Sequence, residues 1–525
     1  MFCSVLSAAI YGIDAVKVQV EADVSDGMPQ FVMVGSVSSR VKEGQDRVKT
    51  ALRNAGVAFP PKRVTVNLVP ADIRKDGSRF DLPVAVAFLK AVGRIPPKSL
   101  SDAMIIGEVR LNGAIQGVTG VLSTVLLARK EGLLRCVIPH DNIIEAKAVD
   151  GIKVIGVASL QQLIAYCIDE TQTEEENIVL PVSERKDYDV DFQDLVGQEY
   201  VKRAALIAVC GFHNLLLRGG PGSGKTMLAK CLPTIMPQLT KEESLELSKI
   251  YSVAGLLPKD EPVIKRRPFR QPHHTISLQA LAGGGRIPIP GEITLAHHGV
   301  LFLDEIAEIP KKTIEILRQP LEEHQIVISR IGGRFTFPAD FMLVAAMNSC
   351  PCGYYPDTNR CTCSMSEIIR YRNKISLPLL DRMDLCVEVP SLRYEDLTGN
   401  DRRGQSSEKL RQIVCRTQQI QRERFKEKNY EQSNIIRLNS SLSSSDIERF
   451  CPLTPDAGKL LKQAFEIYGL TARGYHRIIK VARTIADMEE SDMIRAEHVS
   501  EAICYRSLDK RALWKESETY DSKTL

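Results

Sequence analysis

Gly219-Gly220-Pro221-Gly222-Ser223-Gly224-Lys225-Thr226 satisfies the phosphate-binding pattern G-x-x-x-x-G-K-[ST] at every fixed position. An apolar segment, Leu215-Leu216-Leu217, leads in, and Met227-Leu228-Ala229 begins a helical pattern. That order predicts a strand–loop–helix unit of an α/β fold. The glycines let the backbone bend so that successive N–H groups face phosphate oxygens, and the new helix adds positive potential at its N-terminus. Lys225 then reaches the β- and γ-phosphates, and the Thr226 hydroxyl can ligate Mg²⁺. The alternative is a glycine-rich turn that happens to precede a lysine. The strand before it and the helix after it disfavour that reading.

Val300-Leu301-Phe302-Leu303-Asp304-Glu305 is an apolar run ending in two carboxylates. Such a run suits a central parallel strand covered on both faces, and its C-terminal end is where an open α/β sheet binds ligands. Asp304 is the candidate holder of Mg²⁺, directly or through water, and Glu305 the candidate that polarises the attacking water. A strand that simply ends in surface acids is the plainer alternative, but it leaves Lys225 unexplained. Together the two motifs predict ATP hydrolysis.

At 525 residues the chain has room for about three domains. Its 44% apolar content supports real cores, and a net charge of +4 is too mild to imply nucleic-acid binding by itself. No run of about 18 uncharged apolar residues exists, so no membrane span is expected. Met1 to Ile13 reads as a first strand rather than a signal peptide. The 13 cysteines are an odd number, and Cys136, Cys210 and Cys231 sit singly in apolar stretches, as reduced core residues of a cytoplasmic protein do.

Residues 1–167 alternate strand-like and helix-like segments and form the first expected domain. Residues 168–190 are polar and acid-rich, as a linker would be. Residues 191–398 carry the nucleotide motifs, 399–508 read as a helical lid, and 509–525 as a tail. Four cysteines stand apart: Cys350-Pro351-Cys352 and Cys361-Thr362-Cys363, separated by a turn-rich loop. Two such thiolate pairs can close a tetrahedral Zn²⁺ site, although C-x-C is tighter than the common C-x₂-C. Two disulfides or spare thiols are the alternatives; a reducing compartment disfavours the first and the paired clustering the second.

Phe341 to Asn348 reads as another apolar strand, ending in a neutral amide that can position water between the acid motif and the γ-phosphate. The order and spacing of these motifs resemble an AAA+ ATPase, in which this Asn is the first sensor. Leu379-Leu380-Asp381-Arg382-Met383-Asp384 resembles the arginine-finger segment of the magnesium-chelatase and MCM-helicase branch. That resemblance implies that Arg382 projects into a neighbouring subunit's ATP site, where a finger supplied in trans is worth about 10³–10⁵ in rate. A surface salt bridge, worth almost nothing, is the alternative. Thr471-Ala472-Arg473 resembles the second sensor of the same branch, which implies a phosphate contact for Arg473.

Between Thr226 and Asp304 lies a long insert with Arg266-Arg267-Pro268-Phe269-Arg270-Gln271-Pro272-His273-His274 and Gly283-Gly284-Gly285. A glycine-rich protrusion suits a central channel. Adjacent imidazoles point in different directions, so His273 and His274 are expected at a subunit or pore contact rather than on a metal. Lys265, Arg266, Arg267 and Arg270 are candidates for DNA phosphate contacts or for bridges between subunits.

Ala71 to Pro83, with Gly107 to Gly113, resembles the proteolytic domain of Lon, which has a ribosomal-protein-S5-domain-2-like α/β fold. Aligned on Lys75-Asp76-Gly77, Arg79 falls where the nucleophilic Ser belongs; aligned on Gly107-Glu108, Leu122 falls where its Lys belongs. Neither can replace an activated hydroxyl and its base, and Ser78, one position away, still lacks the Lys, so no protease activity is expected. The Lon-like front, the chelatase-type core and the cysteine cluster together resemble the ComM/YifB family over nearly the whole chain, with Gly35-Ser36-Val37 standing where Gly-Leu-Pro is usual. The resemblance implies an ATP- and Mg²⁺-dependent homo-oligomer, a hexamer, that acts on branched or single-stranded DNA during natural transformation. A chelatase-like motor that remodels a protein partner is the second reading, and an ATP-locked platform without motor activity the third.

Overall fold

The computed structural model describes residues 1–169, 188–258, 261, 263–286, 288–330, 333–391, 404–426 and 438–506. Most of the expected linker and all of the expected tail lie outside the described residues.

The first seven-stranded sheet runs in the order Gln30–Val34, Arg63–Val69, Asp14–Ser25, Phe2–Tyr11, Ala103–Ile105, Arg135–Pro139, Lys153–Val157. Phe2–Tyr11 and Asp14–Ser25 form an antiparallel hairpin with Val5 opposite Val20, and the strands beyond Phe2–Tyr11 are parallel. Helix Asp81–Ala91 is buried at every position because it is packed against the hairpin, which explains why its sequence is apolar all round rather than amphipathic.

The second sheet orders Phe269–Arg270, Val300–Leu303, Met342–Met347, Leu215–Gly219 and Leu385–Val389, all parallel. Val300–Leu303 and Met342–Met347 are buried at every residue, as strands covered on both faces must be. Side chains alternate between the two faces. Leu215, Leu217, Phe302 and Val344 join the core shared with helix Glu199–Gly211 and the C-terminal helices. Leu216, Leu301, Leu303 and Leu343 join a second core on the opposite face. The parallel order brings the loops after Leu215–Gly219, Val300–Leu303 and Met342–Met347 to one edge of the sheet.

The C-terminal region is helical, as expected: Ser407–Lys426 and Ala472–Met488 pack against helix Glu199–Gly211, and Ala496–Cys504 packs against Ala472–Met488, all within the core of the first face. Gln418 and Gln421 are buried because their amides donate to Val209 O and Cys210 O, each at 3.1 Å. These carbonyls lie in the last turn of helix Glu199–Gly211, where the intrahelical ladder runs out of donors. Buried Arg483 pairs with Asp487, which also accepts from Arg424 and from Asn439 at 2.7 Å.

The two α/β units are packed together. Tyr11, at the tip of the N-terminal hairpin, stacks on Phe335 with ring centroids 4.4 Å apart, and Gly120 N donates to Ser252 O at 3.0 Å. Where a Lon-type dyad would stand, Arg79 is buried with its guanidinium on Thr119 O, Leu122 is a core residue, and the Ser78 hydroxyl donates to Glu108. No nucleophile–lysine pair is assembled there among the described residues.

Candidate nucleotide site

The loop between Leu215–Gly219 and helix Lys225–Ile235 turns through two left-handed glycines, Gly222 (φ 72°) and Gly224 (φ 86°). At Gly219 the reason is space: a Cβ there would fall 2.4 Å from Val389 O. Lys225 Nζ donates to Gly219 O at 2.8 Å and Gly220 O at 2.7 Å, and lies 3.5 Å from Asn348 Oδ1. One amine therefore ties the loop to the end of strand Met342–Met347. Burial lowers the Lys225 pKa, while the charges of Asp304 and Glu305 pull it back up. Ser223 Oγ closes the loop by donating to Gly220 O at 2.8 Å.

Thr226 Oγ1 donates to Asp304 Oδ2 at 2.8 Å, so the two candidate Mg²⁺ ligands already face each other. Glu305 N donates to Asp304 Oδ1 at 2.9 Å, and Glu305 takes a left-handed backbone with φ 47°. That conformation costs a non-glycine residue energy, and the Glu305 side chain is half-exposed. Lys225, Thr226, Asp304, Glu305 and Asn348 thus converge at one edge of the sheet, beside Gly219 to Gly224.

Arg382 and Arg473 lie apart from this convergence. Arg382 is buried, donates to Arg318 O and Pro378 O, and places Nη2 2.6 Å from Glu322 Oε1. Arg473, exposed in the first turn of helix Ala472–Met488, directs Nη2 at the same oxygen, 3.3 Å away. Among the described residues no partner of either arginine belongs to the phosphate loop or the acid motif.

The four separated cysteines come together. Sγ–Sγ separations are 3.3 Å for Cys350–Cys352, 3.7 Å for Cys350–Cys361 and 3.6 Å for Cys352–Cys361, and Cys363 completes a group within 4.8 Å. A disulfide needs about 2.05 Å. Four thiolates about 2.3 Å from a central Zn²⁺ stand about 3.8 Å apart, which is close to what is observed. All four residues are free cysteines. The Tyr354 backbone N–H stabilises the Cys352 thiolate and brings its pKa down to about 6.

Two expectations change. Arg267 is buried and spends its guanidinium on Pro237 O, His298 O, Gln238 O and Glu243, so it is an internal brace rather than a phosphate contact. Arg270 is half-buried in a two-pronged pair with Glu292 at 2.6 and 2.7 Å. The His273 and His274 rings lie 4.0 Å apart, tilted by 34°, and His274 Nδ1 lies 3.4 Å from Glu305 Oε2, at the nucleotide site. The cause is topological: Phe269–Arg270 pairs in parallel with Val300–Leu301, so the loop after it emerges beside Glu305.

A second histidine cluster gathers His297 and His298 around Glu246. His297 Nδ1 accepts Asp340 N–H at 3.0 Å, so in the neutral ring Nε2 carries the proton and faces Glu246 at 3.5 Å. Sequence reasoning also missed Gln198, whose amide donates to Ser223 O at 3.1 Å and Pro390 O at 2.7 Å, bracing the phosphate loop from a left-handed position. The signal available was Gly197-Gln198 just before the helix at Glu199.

Three family models match in register with this architecture. The model described as magnesium chelatase, subunit ChlI, matches residues 191–397; subunit ChlI of Mg-chelatase matches 20–142; and the ChlI C-terminal model matches 404–506. The chain is 40% identical to competence protein ComM of Haemophilus influenzae, covering 96% of this chain and 97% of that protein. It is likewise 40% identical to YifB of Escherichia coli, covering 96% of each. A shorter match, 26% identical over 172 residues, is to Lon protease 2 of Bacillus subtilis, covering 31% of this chain and 29% of that protein.

Proposed function

Because this chain belongs to the ComM/YifB family of magnesium-chelatase-like AAA+ proteins, we propose that it is an ATP-driven motor on branched or single-stranded DNA, active in recombination of incoming DNA. The observation that carries ATP hydrolysis is the convergence of Lys225, Thr226, Asp304, Glu305 and Asn348. Residues Gly219 to Thr226 bind the phosphates. Thr226 and Asp304 hold Mg²⁺, which neutralises phosphate charge when bound. Glu305 accepts a proton from the attacking water, and Asn348 orients that water against the γ-phosphate.

Arg382 and Arg473 act from a neighbouring copy in a ring, a hexamer in this reading. Their shared partner Glu322, and the lack among the described residues of any partner in their own chain's loop, support action in trans. The four cysteines hold a structural Zn²⁺, supported by their tetrahedral spacing. Residues 1–167 form a Lon-like domain without protease function, 191–398 the ATPase core and 399–508 the lid. Among the described residues no helix is long and apolar enough to cross a membrane, in keeping with work in the cytoplasm.

DNA as the track is supported by the name of the Haemophilus relative and by two neighbouring hairpins. Gly283–Gly284 pairs with Ile289–Pro290, and Gln325–Arg330 pairs with Gly333–Pro338. Arg330 Nε donates to Gly285 O at 3.3 Å, so the two strand pairs touch and exposed Arg286, Arg330 and Arg334 lie in one region. These replace Arg267 and Arg270 as the phosphate contacts. The second reading, a chelatase-like motor that remodels a protein, shares the ATP site but gives DNA no role. ATP turnover measured without DNA and with duplex, single-stranded and four-way-junction DNA separates them: junction-stimulated turnover supports the first, and turnover indifferent to every DNA supports the second.

A further inference from the structure

The cysteine cluster is built directly onto the phosphate loop. Gly353 follows Cys352 and has φ 87°, and a Cβ placed on it would lie 2.7 Å from Cδ of Pro221. From the other side, a Cβ on Gly220 would come within 3.3 Å of Gly353 O. The backbone of the cysteine loop therefore rests on Gly220 and Pro221. The same loop reaches the nucleotide site a second way, because Cys350 lies two residues after Asn348, whose Oδ1 is 3.5 Å from Lys225 Nζ. The loop is also held at its base. Gly353 N donates to Cys350 O at 3.0 Å, Tyr355 N to Cys350 Sγ at 3.4 Å, and Arg372 lies over the Tyr355 ring while donating to Ser349 O.

We infer that metal occupancy of the four-cysteine site and nucleotide binding at the phosphate loop are thermodynamically linked. This rests on the zinc reading above. A Zn²⁺ ion held by Cys350, Cys352, Cys361 and Cys363 fixes the position of Gly353 and, through Asn348, the partner of Lys225. Losing the ion frees the loop that supports Pro221, so the phosphate cradle must be ordered at the expense of nucleotide affinity. Linkage is reciprocal: nucleotide bound to the cradle slows and weakens metal release by the same factor. No atom is shared between the two sites, so the coupling passes through the Gly353–Pro221 contact and the Asn348–Lys225 contact.

The test uses the full-length protein. Zinc per chain is measured by elemental analysis of protein never exposed to chelator. Affinity for a fluorescent ATP analogue is then measured before zinc removal, after removal with 4-(2-pyridylazo)resorcinol and desalting, and after zinc is restored. Zinc release to the same chelator is followed with and without a non-hydrolysable ATP analogue. The expected result is one zinc per chain, nucleotide affinity that falls about 5- to 150-fold on removal and returns with zinc, and matching protection of zinc by nucleotide. Gly353→Ala keeps the four thiols but pushes on Pro221; it is expected to retain one zinc and lose nucleotide affinity. This variant decides the matter if metal removal unfolds the chain. One zinc per chain with Gly353→Ala binding nucleotide normally overturns the linkage and leaves the zinc reading intact. Absence of zinc from the untreated protein overturns both.

Discussion

Arg382 Nη2 stands 2.6 Å from Glu322 Oε1, and that oxygen is also the partner of Arg473 at 3.3 Å. Two arginines from distant parts of the chain are thus gathered on one carboxylate, away from their own phosphate loop. If both serve a neighbour's ATP, inactive subunits should complement each other. Lys225→Ala keeps the arginines and loses the loop; Arg382→Ala does the reverse. Each alone should lose most turnover, the finger being worth about 10³–10⁵. Mixed in equal amounts they should recover a measurable fraction, because some interfaces carry both intact halves. No recovery on mixing, with assembly shown to be intact, places Arg382 outside the catalytic interface.

Glu305→Gln should bind ATP with unchanged affinity and lose hydrolysis by about 10²-fold or more, as expected when a general base is neutralised. His274→Ala should reduce kcat only a few-fold with KM unchanged, since a half-exposed contact of this kind is worth about 1 kcal/mol at most. Steady-state kinetics of the two variants side by side check both expectations.

The positions of these residues were unequally legible in the sequence. The phosphate loop, the acid motif and Asn348 could be read because phosphate chemistry demands particular residues close together on a strand end and its loop. The cysteine pairs could be read for the same reason. Glu322 could not: Glu322-Glu323 in the short helix Pro320–Glu323 looks like a solvated face until the fold brings Arg382 and Arg473 to it. Arg267 was misread in the opposite sense. Its basic run looks like a surface patch, but three backbone carbonyls and Glu243 satisfy the guanidinium well enough to bury it. His274 depended on strand order, which periodicity does not carry.

Charge reversal at Arg286, Arg330 and Arg334 should weaken DNA binding while leaving DNA-free ATP turnover unchanged. Each lost phosphate contact should reduce the slope of log affinity against log salt by about one. Fluorescence anisotropy with labelled single-stranded DNA over a salt series measures this. Arg267→Ala should instead destabilise the chain by about 1–3 kcal/mol, because it strands Glu243 and the carbonyls it satisfies.

Acid should weaken the ATPase core through His297 and Glu246. Burial lowers the His297 pKa, so below its unfolded value of about 6.5 the unfolded chain takes up a proton that the folded chain refuses. Glu246 is held low by hydrogen bonds from His297 and His298, so its contribution is present above about pH 4.5 and is lost as pH falls further. Both effects have the same sign. Thermal midpoints should fall from about pH 7.5 to about pH 5.5, and His297→Asn, although less stable at the upper pH, should show a shallower decline.

The central claim is that ATP hydrolysis at Lys225 and Glu305 drives movement on DNA. A four-way junction labelled with a donor and acceptor on opposing arms tests it most directly, with purified protein, Mg²⁺ and ATP. The account predicts ATP-dependent strand exchange that is abolished by Lys225→Ala, by Glu305→Gln and by a non-hydrolysable analogue. Robust ATP turnover with the junction left intact would contradict it and favour a protein partner as the object of the motor.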